Sequence, residues 1–415
     1  MASVAILEYF TFELGTLLFV TRAGWDQPQV FTLSGPDGKP LDRSDLELCA
    51  IRLMIDFHGL PQAWAVSPQA ARYRAALTLP PAVNPVKRSQ PILSANIARP
   101  RFMYSMEYWE RMSELLLPQQ ARAYLKGCDV LCIIPHGPLH MLPFAALRWD
   151  GGSFLSEVFG ICHTPSVSVL RYCRTQNRIR CNTSEQPASM LIAAVAAVED
   201  QDRVDFELEA ERLMTTFEEN SAAKATLLRG ARASEGRPAS KREVLGAIET
   251  HDIVHFACHG VFGLDVPGGR ALDSGFVLSD GQTVPRLADV RLMGASERSN
   301  WFLTARDLLG LNMQANLVTL RACSSARVEL DRGGELFGLL RAFFYAGVPS
   351  IVASLWNVNK QSSLMLLDTL YREWLRKDSL VPKWKAMQAA QLAVLRNGYP
   401  HPFHWAAFVL VGDWL

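Results

Sequence analysis

Apolar residues near the start of the chain fall into short runs over residues 4 to 22, on either side of Glu13-Leu14-Gly15-Thr16. That pattern predicts a β-hairpin. Asp45 to His58 reads as a helix, and so does Met106 to Gly127, apart from a break near Pro118. Between these two helices, Pro61 to Pro100 holds seven prolines, too many for a regular element, and predicts a long irregular connection. Val130-Leu-Cys-Ile-Ile134 is a β-rich apolar run closed by Pro135-His136-Gly137-Pro138, the pattern of a buried strand ending in a turn. An N-terminal α/β unit follows from this order. Arg171 to Pro187 is polar and basic with little periodicity and reads as a linker.

Beyond it the pattern becomes a repeating βα rhythm. Strands are expected at Met190 to Val195, Ile253 to Cys258, Leu317 to Ala322 and Ile351 to Leu355. Helices are expected over Gly334 to Tyr345, Ser363 to Leu375 and Trp384 to Leu395. Ser240-Lys-Arg-Glu243 has the spacing of a capping box, and Val244, Leu245 and Ile248 follow as an apolar face, so a helix feeds the Ile253 strand. Alternating strands and helices predict a mostly parallel sheet flanked by helices on both faces. Reactive groups in such sheets collect at the carboxyl ends of the strands.

Composition narrows the class of partner. With 415 residues and 49% hydrophobic content the chain can fill two to three cores. Its 42 lysines and arginines nearly balance 41 aspartates and glutamates, which gives no electrostatic case for nucleic acid or an anionic membrane. Glu8 and Glu13 stand where a secretory signal needs a positive start and an unbroken apolar stretch. The apolar stretch Leu336 to Trp356 is interrupted by Arg341, Gly347 and Pro349 and reads as a buried helix followed by a strand. Eight cysteines with no CxxC pair predict reduced thiols, and a cytoplasmic location is expected.

Two predicted strand ends carry chemistry. HDIVHFACHG ends in His259-Gly260, and ANLVTLRACSSA contains Cys323. An imidazole beside a thiol can take its proton, hold the thiolate and later protonate a leaving amine. The 64 residues from 259 to 323 hold the loop and helix of one crossover. His255, Cys258 and His259 are also metal-ligand types. Strand alternation, however, puts 258 on the opposite face from 255 and 259, and no second ligand pair lies close in sequence, so neither metal nor cofactor is expected. His255 and Cys258 read as strand core. His136 and His140 read as turn and packing residues, as do His401 and His404. The basic residues Lys224, Arg229, Arg232, Arg237, Lys241 and Arg242 read as a solvated face, with a nucleotide-messenger site or a processing loop as the functional alternative.

The chain resembles the CHAT domain, a relative of caspases, separases and gingipains. The runs that carry the resemblance are IIPHGPLHMLPFAAL (133–147), TPSVSVL (164–170), DIVHFACHG (252–260), SGFVLSDG (274–281), LTARDLLGLNMQANLVTLRACSSA (303–326), ELFGLLRAFFYAGVPSIVASLWNV (335–358) and HPFHWAAFVLVGD (401–413). The resemblance implies a non-catalytic caspase-like unit over 1–180 and a catalytic caspase-like domain over 188–415. It implies peptide-bond hydrolysis with His259 as base and Cys323 as nucleophile, and the amides of Gly260 and Cys323 as oxyanion donors. Ser354, Leu355, Trp356, Asn357 and Lys360 fall where such proteins bind an extended substrate as an added strand.

Two positions depart from the family pattern. Ser324-Ser325 replaces the usual Glu-Thr after the cysteine, and Lys360 stands where relatives that cut after basic residues often carry an acid. A lysine there repels a basic P1 side chain, so a non-basic P1 is expected. Relatives often adjoin repeat domains, and no 34-residue helical repeat is found here, so control is expected from a separate protein partner or from self-association. The competing readings are a catalytically silent scaffold on the same fold and a metal-dependent hydrolase built on the 255 to 259 cluster.

Overall fold

The computed structural model describes residues 2–58, 70–76, 106–150, 152–181, 189–196, 203–221, 224–230, 237–261, 271–286, 299–321, 332–356, 359–377 and 379–415, with residues 78–79, 83–84, 103–104, 289, 292–293 and 297 between them. These residues form two compact units. One holds the described residues up to Ile161 together with Gln391–Ala407. The other holds those within Cys162–Ser325, Asp331–Ala390 and Phe408–Leu415.

In the first unit, strand Val4–Phe12 turns into strand Gly15–Arg22, and Gln29–Leu33 adds to it antiparallel. On its other side Val4–Phe12 runs parallel to the fully buried strand Val130–Ile134. The predicted hairpin and the 130–134 strand are therefore as expected. Alternation puts Ala5, Leu7 and Tyr9 on the core side, where the Tyr9 hydroxyl donates to the Leu116 carbonyl at 2.9 Å. The expected helices are Arg43–His58 and Met106–Leu116, the latter followed after Pro118 by the short helix Gln119–Arg122. Within the proline-rich stretch the described part includes a short helix, Ala70–Ala76. Most of the rest lies outside the described residues.

The second unit is built on strands Arg237–Pro238, Ala225–Arg229, Met190–Val195, Ile253–Cys258, Leu317–Arg321 and Ser350–Ser354, adjacent in that order and all parallel. Phe408–Gly412 closes the row antiparallel to Ser350–Ser354, and its Val411 pairs with His163. This is the mostly parallel sheet that the βα rhythm predicts. Helices cover both faces. On the face of His255 lie helices Arg203–Asn220 and Lys360–Trp374, which supply Glu209 and Tyr371 to it. On the face of Phe256 lies helix Arg332–Tyr345, whose Phe343 packs 6.2 Å from Phe256 between ring centres.

Two sequence expectations need correction. The segment read as a linker over 171–187 is helical through Val167–Cys181, and 182–187 lies outside the described residues. Leu170, Cys173 and Asn177 form a buried stripe at helical spacing. Arg174 also turns inward, onto the carboxylate of Asp413 at 3.5 Å and the ring of Trp414 at 4.1 Å, so a basic residue serves the core side of the helix. The basic stretch is largely a solvated face, as read: Lys224, Arg237 and Arg242 are exposed, Arg229 ends strand Ala225–Arg229, and Arg232 lies outside the described residues, so the second correction concerns the capping box beside it. Arg229 meets Glu211 at 2.9 Å, Lys241 meets Asp307 at 2.8 Å, and Arg237 pairs with Glu243. Because Arg237 takes the Glu243 carboxylate, only half of the expected capping box forms: the Ser240 hydroxyl accepts from the Glu243 amide at 3.3 Å.

Candidate active site

Chain order along the parallel sheet reverses between Met190–Val195 and Ile253–Cys258. From the first strand the chain moves outward to Ala225–Arg229 and Arg237–Pro238, and from the second it moves the other way. The carboxyl ends at such a reversal border an open crevice, the favoured place for a ligand in an open α/β sheet. His259 and Gly260 follow one of those ends directly. On the neighbouring strand, Ala257 is the register partner of Arg321. Counted from that pair, His259 and Cys323 each stand two residues further along the sequence. Cys323 and Asn357 lie outside the described residues.

Local pairing fixes the backbone at His259. Gly260–Val261 joins a small antiparallel sheet with Gly275–Val277 and Phe302–Thr304, and the His259 carbonyl accepts from the Val277 amide at 2.8 Å. A trans peptide points its N–H opposite to its C=O, so the Gly260 amide is directed away from the Gly275–Val277 strand. Close approach explains Gly275, where an added Cβ would sit 2.1 Å from the Leu303 carbonyl oxygen. Beneath this sheet Phe256 and Phe276 stack at 4.5 Å with their planes 6° apart. The strand end that carries His259 is thus anchored on its apolar side.

The opposite face holds a charged cluster that sequence reasoning missed. Glu209, His255 and Arg321 are buried together with Tyr371 and Thr319. The two ring nitrogens of His255 lie 3.3 Å from Glu209 Oε1 and 3.2 Å from Tyr371 Oη, and the Tyr371 hydroxyl donates to Thr319 Oγ1 at 2.8 Å. Burial, with the nearby Glu209 charge acting in the same direction, pushes the Tyr371 phenol above its usual range, which keeps it a neutral hydroxyl. Arg321 Nε is 2.9 Å from Glu209 Oε2, an ion pair too bent to count as a hydrogen bond. Its guanidinium lies over the Phe206 ring, 4.4 Å from the centroid. Phe206 in turn meets the His259 ring at 5.5 Å and 73°.

His255 is therefore a hydrogen-bonded strand histidine, and Cys258 is a buried thiol whose pKa is pushed up by desolvation. Among the described residues no group of three or more His, Cys, Asp or Glu side chains has metal-binding geometry. His136 accepts from the Thr11 amide at 3.1 Å and stacks on Phe10, and Gly137 takes a positive φ of 57°, so the first unit's His-Gly pair serves a turn. His401 caps helix Pro402–Trp405, accepting from the Phe403 amide at 3.0 Å.

The candidate substrate residues lie at the end of the next strand. Ser354 is its last residue and pairs with Phe408, so an added strand has backbone to join only from Leu355 onward. Leu355 and Trp356 are buried, and Lys360 is the first residue of helix Lys360–Trp374, capped by Asn359. The signal for the missed cluster was present but weak. Phe206, Glu209, Leu213 and Phe217 recur at helical spacing, which puts one carboxylate inside an apolar stripe.

The fold defines an α/β protein with a mostly parallel sheet between helices, and solved structures share that fold. Two separase–securin complexes from Saccharomyces cerevisiae align over 99% of this chain and 30% of theirs, with TM-scores of 0.54 and 0.51 at 11% and 14% identity. Residues 107–413 match the CHAT domain, and the chain belongs to that family. Among curated proteins, Tetratricopeptide repeat protein 28 of Homo sapiens and that of Mus musculus are each 26% identical over 298 residues. The match covers 68% of this chain and 12% of theirs, so the chain spans only a small part of those relatives.

Proposed function

We propose that the chain is a caspase-like cysteine endopeptidase in which His259 draws the proton from Cys323 and the resulting thiolate attacks a peptide carbonyl. The observation that supports this reading is the Ala257–Arg321 register: in the sequence His259 and Cys323 each follow that pair by two residues. Residues that follow the carboxyl ends of neighbouring parallel strands collect at one edge of the sheet. The Gly260 amide, turned away from its strand partner, and the Cys323 amide act as oxyanion donors. As the tetrahedral intermediate collapses to the acyl-enzyme, the imidazolium gives its proton to the leaving amine, and water then cleaves the thioester, releasing the acid product and restoring the thiol.

Ser354, Leu355, Trp356, Asn357 and Lys360 form the substrate edge, and residues 188–415 carry the catalysis. The substrate is a protein. A protein partner or self-association governs activity, as separase's structure in complex with securin suggests by analogy. The setting we assign is cytoplasmic. Among the described residues no helix is long and apolar enough to cross a membrane.

The test compares wild type with Cys323→Ala on candidate protein partners, with and without each partner as activator. Loss of the nucleophile is expected to lower the rate about 10³- to 10⁶-fold. Fragments formed by both proteins at one rate would reject the reading. Cleavage by neither, in the presence of a partner that binds both, would favour the silent scaffold.

A further inference from the structure

Two features of the buried cluster stand out beside the proposed catalytic pair. A guanidinium and a carboxylate are placed in the core next to the strand end that carries His259, although buried charge is expensive. Moreover, the Nε and Nη1 atoms of Arg321 are buried with no hydrogen-bond partner among the described residues. Such a group in a native fold calls for an explanation. Arg321 is held by the charge of Glu209 and by the face of Phe206 rather than by directed hydrogen bonds.

Phe206 links this cluster to the site. One side of its contacts is the guanidinium at 4.4 Å, and another is the His259 imidazole at 5.5 Å and 73°. Two further observations suit a fixed wall. Phe206 is only 8% exposed, and Glu209 follows it by three positions on helix Arg203–Asn220, so one rigid helix presents both residues. A cation over an aromatic face and a perpendicular ring contact both favour particular orientations.

We infer that Phe206, braced by the Arg321–Glu209 ion pair, is a positioning residue that sets the orientation of the His259 ring for proton transfer. This rests on the His259–Cys323 reading above. Phe206 makes no bond in the reaction. It narrows the angles available to the imidazole, and small misplacements of a catalytic group can cost about 10²-fold in rate. A leucine at 206 fills much of the same space but offers neither a flat face to Arg321 nor a perpendicular partner to His259. Tyrosine keeps both.

The test is alkylation of Cys323 by iodoacetamide in the full-length chain, followed by peptide mass spectrometry from pH 5.5 to 9.5. Wild type, His259→Ala, Phe206→Leu, Phe206→Tyr and Phe217→Leu are compared. Phe217 lies on the same helix in the same core, so its variant reports loss of packing alone. Phe206→Leu is expected to slow labelling at neutral pH about tenfold and to move the midpoint of the pH profile toward that of His259→Ala, an extent that follows from loosening the base. Phe206→Tyr recovers most of the rate, and Phe217→Leu lowers the melting temperature without moving the midpoint.

If His259→Ala shifts the profile and Phe206→Leu does not, the positioning role is wrong and the catalytic pair stands. The positioning role is equally wrong if Phe217→Leu shifts the profile as much as Phe206→Leu. If wild-type Cys323 titrates as a free thiol near pH 8.5 and His259→Ala changes nothing, the pair itself is wrong and the positioning role falls with it.

Discussion

Ala257 and Arg321 face each other across adjacent parallel strands, and the proposed base and nucleophile each follow two residues later. Groups that act as one unit in a reaction show strongly non-additive losses. With a peptide library as substrate, His259→Ala and Cys323→Ala are each expected to lower turnover by about 10³-fold or more, and the double variant by no more than the worse single. Initial rates measure this. Losses that multiply in the double variant would show that the two residues act independently.

Lys360 gives a prediction about specificity. It begins helix Lys360–Trp374, so its ammonium adds to the positive end of the helix dipole. A basic P1 side chain brought to this place meets repulsion from both. A positional peptide library is expected to show cleavage after non-basic residues, with acidic P1 favoured. Lys360→Glu should move the preference toward Arg and Lys by about tenfold, since one charge contact is worth roughly 1 kcal/mol or more in a partly buried site. Strict cleavage after Arg or Lys by the wild type would remove the idea.

The strands of the second unit were the most legible part of the sequence. Met190–Val195 and Ile253–Cys258 are found residue for residue where apolar runs predict them, because a strand buried on both faces reads as a near-continuous apolar run, broken in the second only by His255. The helix Val167–Cys181 was hidden by its own arginines, since sequence pattern assigns a basic residue to water, while Arg174 meets the opposite charge of Asp413 far along the chain. The same limit applies at the site. His259 stands out as a strand-end His-Gly, but Glu209 and Arg321 become visible only when the fold brings together a helix and a strand separated by more than a hundred residues. Periodicity shows which face is buried, not which charge will neutralise another.

That buried ion pair also bears on stability. Removing one member leaves the other unpaired in the core, which typically costs about 3–5 kcal/mol, whereas replacing both by apolar residues can be close to neutral. Glu209→Ala is accordingly expected to lower the urea midpoint steeply, through both the lost charge of Glu209 and the stranded Arg321. Glu209→Leu with Arg321→Met should recover much of the loss. A double variant as unstable as Glu209→Ala would mean that the hydrogen bond to His255 outweighs the charge balance.

Acid should destabilise the fold through buried histidines. Desolvation lowers the pKa of His163 to about 4, of His401 to about 3 and of His404 to about 4. In the unfolded chain the same groups titrate near 6.5. Above that value they are neutral in both states and stability is complete. As pH falls from about 6.5 toward 4, and for His401 toward 3, the unfolded chain takes up protons that the folded one refuses, so stability is lost over that window. For His163, which is buried, the loss approaches about 3 kcal/mol at its lower end. Melting temperature should therefore fall between pH 7 and pH 4.5. His401→Asn offers a clean check, because asparagine can still cap the helix at the Phe403 amide but does not titrate in this range. Its acid slope should be shallower than that of the wild type, and an unchanged slope would exclude His401 as a contributor.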